Sequence, residues 1–300
     1  MKIAVLYTCF NRKAQTLSSL KCLYSSLENY NSTAKEKICI TIYLTNDGCT
    51  DGTAEAINAV YPKKGIKILD GNGNLYWAGG MRLAWNEALK RHDEWDFYLL
   101  INDDTDLFDE CLEELMDTHS YCLQKNGKSG IYSGATCAKT NNKKTTYGGN
   151  VITNRFLGNT HRLSPSGTPQ LVDVANANIL MVSKSVVDRI GIFYDGYRHG
   201  NADYDYSMSA RRHGIPVYIT GRFCGACEND HSHGDELKKR ILKMSSKERM
   251  KYFTNPLHSS KDYLTYIRRQ FPYKYPFTWL LRMLHEKFPK IYYMLDHGQG

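Results

Sequence analysis

Three carboxylates within four positions, Asp103, Asp104 and Asp106, follow directly on the apolar run Phe97–Ile101. Carboxylates crowded like this repel one another unless a shared proton or a cation relieves them. Hard divalent ions such as Mg²⁺ take one or two such ligands and complete their shell with substrate phosphates. The bland alternative is an acidic loop in which Asp109 caps the next helix. Three further polar clusters sit at similar places: Thr8–Arg12, Asn46–Asp51 and Asp70–Asn74. Arg12 and Arg82 suit phosphate, and Asp47 suits a base or a ribose hydroxyl. A single Asp after a strand is more often a turn residue. Four such clusters in succession point to a nucleotide with a metal.

The elements that must position them alternate. Lys2–Thr8, Ile38–Leu44, Ile66–Leu69 and Phe97–Ile101 are short apolar runs that read as strands. Apolar residues at helical spacing place helices after each: Leu17 to about Asn29, a segment capped by Thr50 or Asp51, Gly79–Arg91, and Cys111–Leu123. Four strand–helix repeats imply a parallel sheet with right-handed crossovers. In such sheets ligands bind beyond the carboxyl ends of the strands, where all four clusters fall. After Gly130 the rhythm changes. Thr145–Arg162 reads as a polar hairpin or loop excursion, and Leu171–Val182 as two short strands around Asn176-Ala177-Asn178. Lys184–Ile190 and Asp203–His213 read as helices, and Val217–Thr220 as a returning strand.

Length and composition exclude several classes. Three hundred residues fit one large α/β domain or one domain with an appendage. No apolar run approaches the ~20 residues of a membrane span. The start MKIAVLY is strand-like and too short for a signal peptide, so the nine cysteines read as thiols of a cytoplasmic protein. There is no GxxxxGK[ST] loop and no dinucleotide-binding glycine pattern after the first strand. Lys238–Lys290 hold fourteen Lys/Arg against three acids, a balance of +11, so the rest of a chain of net charge +8 is slightly acidic.

The motifs resemble those of family 2 glycosyltransferases, rhamnosyltransferase-like members in particular. TNDGCTDGT (Thr45–Thr53) is similar to the NDGSTDGT signature, with Cys49 where Ser is usual. GNLYWAGGMRLAWNEAL (Gly73–Leu89) resembles the segment after the third strand, and LLINDDTDL (Leu99–Leu107) the metal-binding DxD region. NADYDYSMSARRHG (Asn201–Gly214) resembles the later EDxDxxxRxxxxG element. The resemblance spans about Lys2 to Gly234. It implies a GT-A type nucleotide-sugar-binding fold over residues 1–234, mostly parallel and flanked by helices, with a C-terminal helical basic/aromatic appendage over 235–300.

It also implies an inverting, metal-dependent transfer from a nucleoside-diphosphate sugar, UDP- or dTDP-linked, to a glycan or lipid-linked acceptor in bacterial surface polysaccharide synthesis. Thr8, Arg12, Asp47, Asn74, Arg82 and Asp103 would surround the donor. Asp104 would be the principal carboxylate for Mg²⁺ or Mn²⁺, with Asp106 in support and His231 or His233 as a further ligand. Asp203 would be the catalytic base. Two positions depart from the pattern: Asn102 stands where the first acid of DxD falls, and Ala202 where a Glu usually precedes the base. They keep open a catalytically silent nucleotide- or sugar-binding protein. A sugar nucleotidyltransferase would need a glycine-rich loop where Cys9-Phe10-Asn11-Arg12 stands.

Two features stand outside this set. Cys224 and Cys227 with His231 and His233 invite a zinc reading, although four ligands within ten residues are closer than finger spacing. The tail from Lys238 to Leu295 mixes cations with aromatics. That composition suits an anionic membrane surface better than nucleic acid, or a helical appendage packed on the sheet domain.

Overall fold

A computed structural model describes residues 1–62, 64–228 and 234–295. Strand β1 (Lys2–Cys9) is buried from Ile3 onward, and helix α1 (Lys13–Thr33) leaves it through a turn at Asn11. The alternation continues through β2 (Cys39–Asn46), α2 (Thr53–Val60), β3 (Ile66–Asp70), α3 (Tyr76–Leu89) and β4 (Phe97–Ile101). These four strands are parallel, in the order β3-β2-β1-β4. All five residues of β4 are buried, as an unbroken apolar run requires.

The short β5 (Asp106–Leu107) and α4 (Cys111–Asn126) complete this half. The second half adds β6 (Ile131–Ala138), β7 (Asn141–Tyr147), β8 (Gly149–Asn154), β9 (Asn159–Arg162), β10 (Gln170–Leu171), β11 (Val174–Ala175) and β12 (Ile179–Ser183). Helices α5 (Lys184–Ile190) and α6 (Ala202–Arg212) and strand β13 (Val217–Ala226) follow. β12 lies antiparallel between β4 and β6, and β13 runs parallel to β6, which extends the sheet past its purely parallel half. The polar excursion expected over Thr145–Arg162 spans part of β7 and forms the β8–β9 hairpin, which joins β11 in a separate small sheet.

Two departures from the sequence expectation have visible causes. β6 and the far half of β13 carry few large apolar residues, so their periodicity is faint. Small residues are needed there because a Cβ on Gly134 would meet Cys224 and Ile179 at 2.9 Å. Helix α3 begins at Tyr76, ahead of the expected Gly79, since its first backbone N–H groups find a carboxylate partner in Asp47.

Apolar side chains fill both faces of the sheet. One cluster joins Leu20 and Leu23 of α1 and Leu112 and Leu115 of α4 to β1 and β4, and the other joins Trp85 of α3 and Tyr206 of α6 to the opposite face. The second layer reaches unusually close to the strand ends. A Cβ on Gly80 would come within 2.1 Å of Thr8 Oγ1, and Thr45 Oγ1 donates to the Gly80 carbonyl at 2.8 Å. The start of α3 therefore lies directly across the ends of β1 and β2.

Among the described residues five α-helices follow the sheet: α7 (Gly234–Lys243), α8 (Ser246–Thr254), α9 (Ser260–Gln270), α10 (Tyr275–Lys287) and α11 (Pro289–Leu295). α9 packs into the second layer through Tyr266 and Ile267, and Phe271 just beyond it is buried in the same cluster. Two buried carboxylates hold it there. Asp205 of α6 accepts from Arg269 Nε on both oxygens at 3.0 Å, and from Gln270. Asp262 of α9 accepts from three consecutive backbone N–H groups, those of Arg198, His199 (2.7 Å) and Gly200 (3.0 Å), in the loop that enters α6.

Two substitutions test these contacts by urea denaturation. Gly80→Ala should destabilise by about 1–3 kcal/mol through overpacking, and Thr8→Ala in the same chain should recover part of the loss because it removes Oγ1. Asp262→Ala should cost about 3 kcal/mol, since it strands buried N–H groups that now donate to a charged acceptor.

Candidate active site at the strand ends

The turns after β1 and β2 are stitched together. The Asp47 N–H donates to the Cys9 carbonyl at 3.0 Å, and Asn11 Oδ1 accepts from the Thr50 N–H at 2.7 Å. Asp51 caps the starts of two helices at once, accepting from Lys13 N–H at 2.9 Å and Thr53 N–H at 3.2 Å. Asp47 is buried and wholly committed to backbone. Its Oδ1 accepts from Gly73 N–H at 2.8 Å, and its Oδ2 from Leu75 and Tyr76 N–H at 2.9 and 3.0 Å. Gly71 fits against it only as glycine, because a Cβ there would meet Asp47 Oδ1 at 2.6 Å. Tyr76 next to this clamp takes φ 56°, a left-handed conformation costly for an aromatic residue.

The other residues proposed for the donor are distributed around this frame. Thr8 is buried under Gly80, and Asn74 is exposed on the third turn. Arg82 is turned to the loop before α6, donating to the carbonyls of Tyr197 at 2.7 Å and Tyr194 at 3.3 Å. Partial burial lowers its pKa. Arg198 of that loop returns the contact, reaching the Asn74 carbonyl at 3.1 Å.

The acidic stretch separates into different tasks. Asn102 Oδ1 accepts from Trp77 Nε1 at 2.7 Å and so fastens α3 to the end of β4. Asp106 is engaged on both oxygens, by Ser18 Oγ at 3.0 Å and Lys139 Nζ at 2.6 Å. Asp109 accepts from Ser25 Oγ and stands one residue ahead of Glu110, the cap of α4. Asp103 and Asp104 remain, bridged by Arg12 Nη1 at 3.3 and 2.6 Å. Asp103 is 6% exposed, and its Oδ2 has no hydrogen-bond partner among the described residues. Burial pushes its carboxyl up to about 7, with Asp104 adding to the rise and Arg12 opposing it. A buried carboxylate oxygen without a donor, beside a second carboxylate, is a donor set that fits a hard divalent cation.

Asp203 stands in the first turn of α6. Its Oδ2 accepts from Ala177 N–H at 3.1 Å and its Oδ1 from Tyr204 N–H at 2.9 Å. Burial raises its pKa to about 6, and these two N–H groups keep it from going higher. Asp205, two residues on, is occupied by Arg269 and Gln270 and is no rival as a base.

The segment Asn176-Ala177-Asn178 connects the two centres, a role nothing in its composition signals. Ala177 holds Asp203, while the Asn178 carbonyl accepts from Asn102 N–H at 3.0 Å. Asn178 Nδ2 also reaches Cys227 Sγ at 3.5 Å, and that thiol lies 3.8 Å from Asp104 Oδ1.

The cysteine pair is part of a strand and its edge. Cys224 is buried in the core beside Cys111 and donates to Thr220, whereas Cys227 faces Asn178 and Asp104. An odd spacing along an extended chain sends the two side chains to opposite faces, so they do not converge on one metal. His231 and His233 lie outside the described residues. Among the described residues no group of three or more His, Cys, Asp or Glu side chains forms a metal cluster.

No family model and no curated protein matches the chain. Solved structures do. TarS residues 1–349 of S. aureus, in complex with UDP-GlcNAc, is similar at TM-score 0.53 and 12% identity over 91% of this chain and 73% of that one. The mannosyltransferase PcManGT of Pyrobaculum calidifontis, in complex with GDP-Man and Mn²⁺, is similar at TM-score 0.52 and 13% identity over 94% and 74% of the two chains. At such identities the likeness speaks of architecture. The chain has the GT-A type fold expected from the resemblance, a mostly parallel sheet flanked by helices, with C-terminal helices after it.

Proposed function

We propose that the chain is an inverting glycosyltransferase that moves a sugar from a nucleoside diphosphate to a hydroxyl of a glycan or lipid-linked acceptor. The observation that carries this is the pairing of two chemically distinct centres on one frame. One is Asp203, an isolated carboxyl near 6 held by backbone N–H groups. The other is Asp103 with Asp104, a carboxylate pair with an unpartnered oxygen. The low-identity structural neighbours crystallised with UDP-GlcNAc and with GDP-Man and Mn²⁺ support the donor class.

In this mechanism Asp203 accepts the proton of the acceptor hydroxyl as its oxygen forms a bond to the anomeric carbon. The bond from that carbon to the diphosphate oxygen breaks, and the diphosphate leaves on the opposite face, so configuration inverts. A carboxyl near 6 is ionised at neutral pH yet basic enough to take the proton. Asp103 and Asp104 would hold Mg²⁺ or Mn²⁺, which supplies positive charge for the departing diphosphate. Arg12, half exposed beside them, adds a second cation at the same place. Asp47 shapes the donor pocket by fixing the Gly71–Tyr76 turn, and Arg82 by holding the loop before α6. An acceptor of that class would put the enzyme in surface polysaccharide assembly on the cytoplasmic side of a membrane.

Three measurements test the proposal. Mn²⁺ should raise affinity for UDP, dTDP or GDP at least ~10-fold in calorimetric titration, an increase absent from Asp104→Asn; metal-blind binding would remove the carboxylate pair from the site. With a turned-over nucleotide sugar, Asp203→Asn should lose ~10²–10⁴ in kcat while nucleotide affinity holds. The wild-type rate should fall about tenfold per unit below pH 6, because protonation disarms the base; a flat profile there, or near-normal Asp203→Asn turnover, would eliminate Asp203. A chain that binds nucleotide but hydrolyses or transfers no sugar across a donor panel would instead be a silent binding protein.

A further inference from the structure

One surface of the chain is explained neither by the core nor by the site. Helix α10 turns one side inward, where His285 is buried against Tyr292 and Tyr293, and leaves Phe277, Leu280 and Leu281 in solvent. Phe277 is 77% exposed, and Phe288 at the helix end follows in the same helical phase. α11 continues the exposure with Ile291, Met294 and Leu295. The β8–β9 hairpin, more than a hundred residues earlier, meets this surface. Phe156, 74% exposed at the hairpin tip, stacks on Tyr273 at 5.5 Å and 9° between rings. Tyr273 donates to the Arg155 carbonyl, and Lys274 to that of Leu157. The hairpin tip is thus fastened one turn ahead of Phe277. Two sequence-distant segments build a single rim of exposed apolar side chains with Arg155 and Lys274 beside it.

We propose that this rim is a membrane-docking face that lies in the interface of an anionic bilayer, with the hairpin tip and α10 inserted side by side. Charge complementarity selects the occupant. Lys238–Lys290 carry +11 while the remainder of the chain is net negative, so the charge that an anionic surface attracts is concentrated in the helices that carry this rim. The one acid of α10, Glu286, lies about 180° around the helix from Phe277 at 100° per residue. With 13 residues the helix is about 20 Å long, too short to cross a bilayer and suited to lying in its plane. Among the described residues no helix is long and apolar enough to span. A two-fold contact with a second copy would set the same cationic surface against itself. Nucleic acid could stack its bases on Phe277 and Phe288 but would leave Leu280, Leu281, Ile291, Met294 and Leu295 in water.

The face stands on geometry and charge and is independent of the sugar-transfer proposal, so its test contains no nucleotide sugar. The 300-residue chain is sedimented with vesicles of phosphatidylcholine alone and of phosphatidylcholine with phosphatidylglycerol. Binding should require the anionic lipid and weaken with salt. Phe277→Glu/Leu281→Glu should bind at least ~10-fold less, and Phe156→Glu alone several-fold less, although it lies outside the basic tail. The circular dichroism spectrum and the urea unfolding midpoint serve as controls for folding in each variant. Equal binding by the Phe156→Glu variant, or binding by none of the proteins, would overturn the proposal. So would a dimer by light scattering that Phe277→Glu/Leu281→Glu splits.

Discussion

Loops at one edge of the sheet carry backbone N–H groups that the sheet cannot satisfy, and carboxylates, Asp47 and Asp262 among them buried, answer that demand. Asp47 takes three N–H groups of the Gly71–Tyr76 turn. Asp262 takes three from the loop before α6, and Asp51 takes the starts of α1 and α2. Each is a charge-assisted contact to a group that would otherwise be stranded, so its removal costs more than an ordinary hydrogen bond. The candidate site inherits its shape from these clamps. Asp47 sets where α3 starts, α3 lies across β1 and β2, and its Trp77 fixes Asn102.

Against that background, a carboxylate without such duties stands out. Among the described residues Asp104 and Asp103 meet only Arg12 and a weak thiol donor, and one Asp103 oxygen has no hydrogen-bond partner. Burial of an unsatisfied charged group is unfavourable, which is why the Asp103 carboxyl rises to about 7. The fold tolerates this cost at the end of β4, where the apolar run that drives the strand inward also draws Asp103 into low dielectric.

Much of the architecture was legible in the sequence because it rests on periodicity. Four apolar runs and the helices between them, and the bounds of α5, followed from spacing alone. β6 did not, since its packing between β12 and β13 demands small residues that leave no apolar signature. The polar clusters were placed together correctly at the strand ends, yet the division between clamp and candidate ligand could not be read. Asp47 and Asp103 both follow a strand, and only three-dimensional neighbours distinguish a carboxylate with three N–H donors from one with a bare oxygen. Asp205 posed the same problem next to Asp203. Its partners Arg269 and Gln270 lie more than sixty residues away, beyond any local pattern.

The contrast between Asp203 and Asp103 carries the synthesis one step further. Burial raises both, but the offsets differ in kind. Asp203 is moderated by two backbone N–H groups that cannot leave, so its ionised state near neutrality is a fixed property of the fold. Asp103 is moderated by Arg12, a half-exposed side chain on a long stem that can turn toward another anion. One carboxyl is therefore set by scaffold and the other by whatever cation stands beside it. The proposed sugar transfer would use that difference, with a base of constant strength and a charge centre that answers to the arriving diphosphate. Asn176–Asn178 ties the two together through Ala177 and Asn178, so neither centre can shift without moving the backbone that positions the other.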